Sequence, residues 1–194
     1  MRHFSIVLLI LLMGLSLAQA QHKPTSGLLI LNVGFTKTSP EYSDQDLDGN
    51  TFTLSYEKSD YQGRFAGGIA FAYTETAADS LTASGQKVER ANSVSHEVIP
   101  ITLFGKVLFG PPKVKGYIGG GIGIQFSHVH YYTQNVQVNG QDSGLLVGGL
   151  AGLNYFLNDK IFLNGNYSLF YLGNSYYQDD LVQNFSFGLG FQIY

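Results

Sequence analysis

Eight segments of this chain alternate with period 2, and in each of them one face is bulky and apolar while the other is small or polar. The segments are Leu28–Lys37, Thr51–Lys58, Gly63–Thr74, Ser93–Phe109, Val114–Tyr131, Leu145–Leu157, Ile161–Leu172 and Leu181–Ile193. In the last, Phe185, Phe187, Leu189, Phe191 and Ile193 alternate with Ser186, Gly188, Gly190 and Gln192. In the fifth, Ile118, Ile122, Ile124 and Phe126 alternate with Gly119, Gly121, Gly123 and Gln125. In the seventh, Leu163, Leu169 and Tyr171 alternate with Asn164, Asn166 and Ser168. A water-soluble sandwich or ligand-binding barrel puts its large apolar residues inside. Here the hydrophilic face is too small to fill such a core. The large face is therefore predicted to touch lipid, with polar packing within. Most segments reach the roughly 9–11 residues of a tilted membrane strand; Thr51–Lys58 falls a little short.

The connections alternate in length as well. Thr38–Asn50, Glu75–Asn92, Tyr132–Gly144 and Gly173–Asp180 are long and polar. Ser59–Gln62, Gly110–Lys113 and Asn158–Lys160 are tight turns. Long and short links in strict alternation give an even strand number and place both ends on one side, as in outer-membrane barrels with short periplasmic turns. An open edge in hydrocarbon would leave backbone N–H and C=O groups unpaired, so the last strand must pair with the first. The fold class is thus an all-β, eight-stranded, antiparallel transmembrane barrel, an up-and-down meander with both termini periplasmic. Tyr56, Tyr73, Tyr155, Tyr167 and Tyr171 suit interface girdles. Pro100, inside the fourth strand, reads as a bulge.

Residues 1–20 read as a secretory signal: Arg2 precedes the apolar run Ile6–Leu17, and Ala18-Gln19-Ala20 supplies the small residues of a cleavage site. Residues 21–194 then form the barrel domain. No later stretch of 18 apolar residues exists, which excludes an α-helical membrane protein. With no cysteine there is no disulfide, thiolate metal site or lipidated cysteine. Eleven Lys+Arg against 14 Asp+Glu, a net charge of −3, argue against nucleic acid as a partner. The expected surroundings are the lipid bilayer, lipopolysaccharide and the outer-membrane assembly machinery.

Four groups of residues could carry chemistry. Asp44, Asp46 and Asp48, followed by Gly49, open like a calcium loop, but Ser55 holds the twelfth position where a glutamate belongs. A solvated loop tip is the plainer reading, so no cofactor is expected beyond weak Ca²⁺. Glu57 and Arg64 are predicted to face each other in the lumen if Ser59–Gln62 is the turn. Ser95, His128 and Glu97 are predicted to meet on the lipid-facing side near the external rim, with His96 and His130 close by. Serine, histidine and carboxylate are the parts of an acyl-transfer site. The Gly119–Gly123 cluster lacks the spacing and the following helix of a phosphate loop.

Val98-Ile99-Pro100-Ile101 leading to Lys106, Tyr117-Ile118-Gly119-Gly120-Gly121-Ile122-Gly123 and the closing Gly188-Leu189-Gly190-Phe191-Gln192-Ile193-Tyr194 resemble small eight-stranded outer-membrane barrels. The layout is OmpA/OmpX-like. The details are similar to barrel domains of Bacteroidetes-type bacteria, including PorT-like proteins. The resemblance implies a fold and a compartment shared by proteins of diverse roles. It also implies recognition of the C-terminal strand by assembly machinery, although Tyr194 falls one residue out of the lipid-facing parity of Phe191 and Ile193. The expected role is structural or surface-interactive and non-enzymatic. The alternatives are a narrow channel or a component of a secretion or envelope complex, and a barrel-embedded lipid A hydrolase.

Overall fold

The computed structural model describes residues 27–38, 47–60, 63–78, 82–83, 86–87, 93–132, 137–173 and 181–193. Its strands are β1 (Gly27–Thr38), β2 (Leu47–Ser59), β3 (Phe65–Ala78), β4 (Thr82–Ala83), β5 (Gln86–Lys87), β6 (Ser93–Phe109), β7 (Val114–Tyr132), β8 (Gln137–Phe156), β9 (Ile161–Gly173) and β10 (Leu181–Ile193). Eight of them close a barrel in the order β1-β10-β9-β8-β7-β6-β3-β2, while β4 and β5 form a separate two-stranded ribbon. Every neighbouring pair in the barrel is antiparallel, including the closing pair β1–β10. The signal segment 1–20 lies outside the described residues.

The two faces fall as the alternation requires. Phe187 and Ile122 point outward, 53% and 48% exposed, whereas Gly190 and Ser168 are buried. A band of Leu, Ile, Val, Phe and Tyr covers the outside, an apolar surface of the kind that marks contact with a membrane or a partner. The lumen is less uniformly small than the sequence suggested. Leu28, Ile30 and Phe162 cluster at the end of the tight turns, and Leu146, Leu172 and Val182 cluster at the opposite end. Ala66, Leu108 and Tyr117 form a third group on the far wall. Interior glycines make room for the large groups. A Cβ on Gly190 would collide with the Phe162 ring, and one on Gly152 with the Tyr117 hydroxyl.

Four expectations are corrected. The segment 137–144, read as part of a long loop, extends β8 and pairs with β7 up to Tyr132↔Gln137, so that connection shrinks to 133–136. Pro100 makes no bulge. The β3–β6 ladder lapses opposite Ile99 and Pro100 and resumes with Thr74↔Val98 in the same register as Phe71↔Ile101. Proline has no N–H to give the ladder, but no extra residue is inserted. β2 starts at Leu47 and is long enough to span.

The β2–β3 turn differs too, and this separates Glu57 from Arg64. Asp60 organises it: its Oδ1 accepts from the backbone N–H of Arg64 at 2.7 Å and of Phe65 at 3.0 Å. Its carbonyl accepts from Gly63, which takes a φ of 61°. The strands therefore pair Ser59↔Ala66 and Glu57↔Gly68, leaving Arg64 exposed in the turn.

Candidate functional site

The lumen is polar and tightly connected. Glu57 on β2 and Lys106 on β6 both face inward, and Lys106 Nζ lies 2.6 Å from Glu57 Oε2. β3 runs between them, and Gly68 lets Glu57 pass: a Cβ there would strike Glu57 itself. Lys106 Nζ also sits 4.1 Å from the centre of the Tyr117 ring. Stacking an ammonium on a ring in a desolvated site adds to its neutralisation. Burying either charge alone would be costly, so the pair is the form in which both can exist here.

Tyr117 links this pair to an asparagine network. Asn164 Nδ2 donates to Tyr117 Oη at 3.0 Å and to Asn154 Oδ1 at 2.7 Å. Asn32 Nδ2 donates to Asn164 Oδ1 at 2.8 Å, and Tyr117 Oη donates to Asn166 Oδ1 at 3.1 Å. Four strands are thus cross-linked through side chains. The space left beside the network is a cavity of about 100 Å³, bordered by Glu57, Asn32 and Thr38 among others. It has room for water. Glu57 Oε1 and Asn32 Oδ1 are buried without a hydrogen bond among the described residues, the kind of group that ordered water satisfies.

The rim residues do not assemble as predicted. The turn after β6 pivots one residue later, because Val114 N donates to Pro111 O and Gly110 adopts a φ of 103°. Glu97 therefore lies opposite His128 and Ser95 opposite His130. Ser95 and His128 become diagonal neighbours. All four share the outward parity, whereas His96 points inward and is fully buried. His130 Nδ1 is 3.0 Å from Asn139 Oδ1 on β8, a contact that sequence reading missed because Asn139 had been placed in a loop.

Asp44 and Asp46 lie outside the described residues. Asp48 stands in β2 opposite Lys37 and Ala77 rather than in a loop. Among the described residues no three His, Cys, Asp or Glu side chains gather to hold a metal ion.

Charge is split along the barrel axis. Among the described residues the loop end carries Asp48, Glu75, Glu97 and Asp142 against Lys37 and Lys87. The turn end carries Lys58, Arg64, Lys113, Lys115 and Lys160 against Asp60 and Asp159.

Residues 5–192 match the family described as outer membrane protein beta-barrel domain. The chain belongs to that family. It is a protein of the outer membrane, and the exposed apolar belt is its contact with the bilayer. No curated protein matches the sequence. Among solved structures, neisserial surface protein A is similar in fold, with a TM-score of 0.63 at 14% identity, covering 88% of this chain and 100% of that one. Ail, the attachment invasion locus protein of Yersinia pestis, aligns with a TM-score of 0.55 at 15% identity, covering 86% and 99%. The same protein in complex with the heparin analogue sucrose octasulfate aligns at 0.57 with the same identity and coverage.

Proposed function

We propose that this barrel is a closed, non-enzymatic surface protein whose work is done by the end that carries the longer connections. The observation behind this reading is the obstructed lumen: an ion pair and an asparagine network occupy it, and apolar clusters sit toward both ends. Eight strands enclose little more than their own side chains. In planar bilayers the purified protein is expected to show no stepwise conductance; steady channel events would establish the channel alternative instead.

In this reading both termini and the tight turns lie in the periplasm and the longer connections outside. The absence of cysteine makes the orientation simple to test. Ser143→Cys should react with a membrane-impermeant maleimide on intact cells, and Asp159→Cys should not. The reverse labelling would invert the topology. Ail was solved with a sulfated sugar, but the acidic rim here disfavours a polyanion and suits a cationic or neutral partner. Lipopolysaccharide around the belt and the assembly machinery at the closing strand are the other partners we propose.

One contact favours a second reading, an acyl hydrolase. Asn139 accepting from His130 Nδ1–H would leave Nε2 as a base on the side of Ser95. Release of fatty acid from lipid A by the native protein, lost in Ser95→Ala and His130→Ala, would support it; no release from the native protein would remove it.

A further inference from the structure

An outward recess of about 370 Å³ opens near the loop end where β2, β1 and β10 run side by side. Lys37 on β1 lies opposite Asp48 on β2 and opposite Gln183 on β10. One row below, toward the membrane centre, Phe35 lies opposite Phe185. Phe35 is 69% exposed, and Phe185 meets Phe187 edge-on with ring centres 4.6 Å apart. Tyr167 completes the wall and donates to Gln183 Oε1 at 3.3 Å, so the amide nitrogen of Gln183 is the end left to act as a donor.

We propose that this recess binds a zwitterionic aminophosphate headgroup, the phosphoethanolamine of a lipid. The aromatic row lies at the depth of the acyl chains and the charged row at the depth of the headgroups. Lys37 and the Gln183 amide supply donors for a phosphate. Asp48 decides the class of ligand. A single lysine beside a carboxylate is a poor site for a plain anion, because the carboxylate repels it. A headgroup that carries its own ammonium turns that repulsion into a second contact. Phosphate and ammonium in phosphoethanolamine are two carbons apart, comparable to the ~4.8 Å between neighbouring strands that holds Lys37 and Asp48 side by side. A trimethylated amine has no N–H to donate to Asp48, so the site discriminates by hydrogen bonding as well as by charge.

The test uses the native protein in nanodiscs containing phosphatidylethanolamine, phosphatidylcholine and phosphatidylglycerol with identical chains. Lipid retention is read by native mass spectrometry. An exposed charged contact supports a preference of up to about fivefold. We expect phosphatidylethanolamine to be retained over both other lipids by about that factor. Asp48→Asn should bring the ethanolamine-to-choline ratio close to one, and Lys37→Gln should lower retention of all three lipids. Stepwise N-methylation of the headgroup gives the same contrast on the native protein without any substitution. Survival of the ethanolamine preference in Asp48→Asn would overturn the proposal. Lipid A with and without a phosphoethanolamine group distinguishes the source. Preference for the decorated form assigns the site to lipid A, and preference in the glycerophospholipid series alone assigns it to phospholipid. Preference in neither series refutes it.

Discussion

Lys106 reaches Glu57 across an intervening strand, Nζ to Oε2 at 2.6 Å, and both side chains are buried. The pair joins β2 to β6 through the lumen, over the backbone of Gly68. Removing one partner leaves the other charged in a site that water reaches poorly. Glu57→Gln or Lys106→Met alone should each cost about 3 kcal/mol. The double variant should cost less than the sum of the two, because neither charge is then stranded. Urea unfolding in lipid vesicles measures all three. Equal losses in the singles and a strictly additive double would show that the two groups act independently.

Tyr117 is the junction of the lumen network, accepting from Asn164 and donating to Asn166. Tyr117→Phe keeps the ring beneath Lys106 and removes only the hydroxyl. The expected loss is about 1–2 kcal/mol, the cost of hydrogen bonds broken in a buried site. Asn164→Ala should cost more, since Asn164 also serves Asn154 and Asn32. If the phenylalanine variant unfolds at the native urea concentration, the hydroxyl carries no stability.

Gly190 and Phe162 form a matched pair, with the ring occupying the place of the missing side chain. Gly190→Ala drives a methyl group into the ring and should destabilise by about 1–3 kcal/mol. Phe162→Leu in the same chain should return part of that loss by vacating the space. Phe162→Ala alone leaves a hole at the turn end, costing about 3–5 kcal/mol. A double variant no better than Gly190→Ala would mean that the strain lies in the backbone.

The barrel was legible because lipid imposes period 2 on every strand: Phe187 and Gly190 cannot exchange faces without a register slip. That signal ends where lipid ends. Asn139, Gln141 and Ser143 are no more apolar than their inward neighbours Gly140 and Asp142, so the β8 extension has no alternation to betray it. Facing was readable, but pairing depended on turns. Asp60 and Gly63 moved the β2–β3 register, and Gly110 with Pro111 moved the β6–β7 register. For that reason Glu57 was rightly placed in the lumen and given the wrong partner. Lys106 could have been found as the other inward charge within a strand, opposite Gly119.

The sidedness of the wall yields the last prediction. Ile122 faces outward near the middle of β7, whereas Phe109 faces outward at the turn end of β6. An arginine at the bilayer midplane costs roughly 2–4 kcal/mol, and one near the interface roughly 0–1. Ile122→Arg should therefore destabilise strongly and Phe109→Arg barely, although the two side chains are similarly exposed, 48% and 56%. Exposure to water would make both substitutions mild. Equilibrium unfolding in vesicles separates the cases: a gradient with depth identifies the exposed belt as the face in hydrocarbon, and equal small effects at both positions would contradict it.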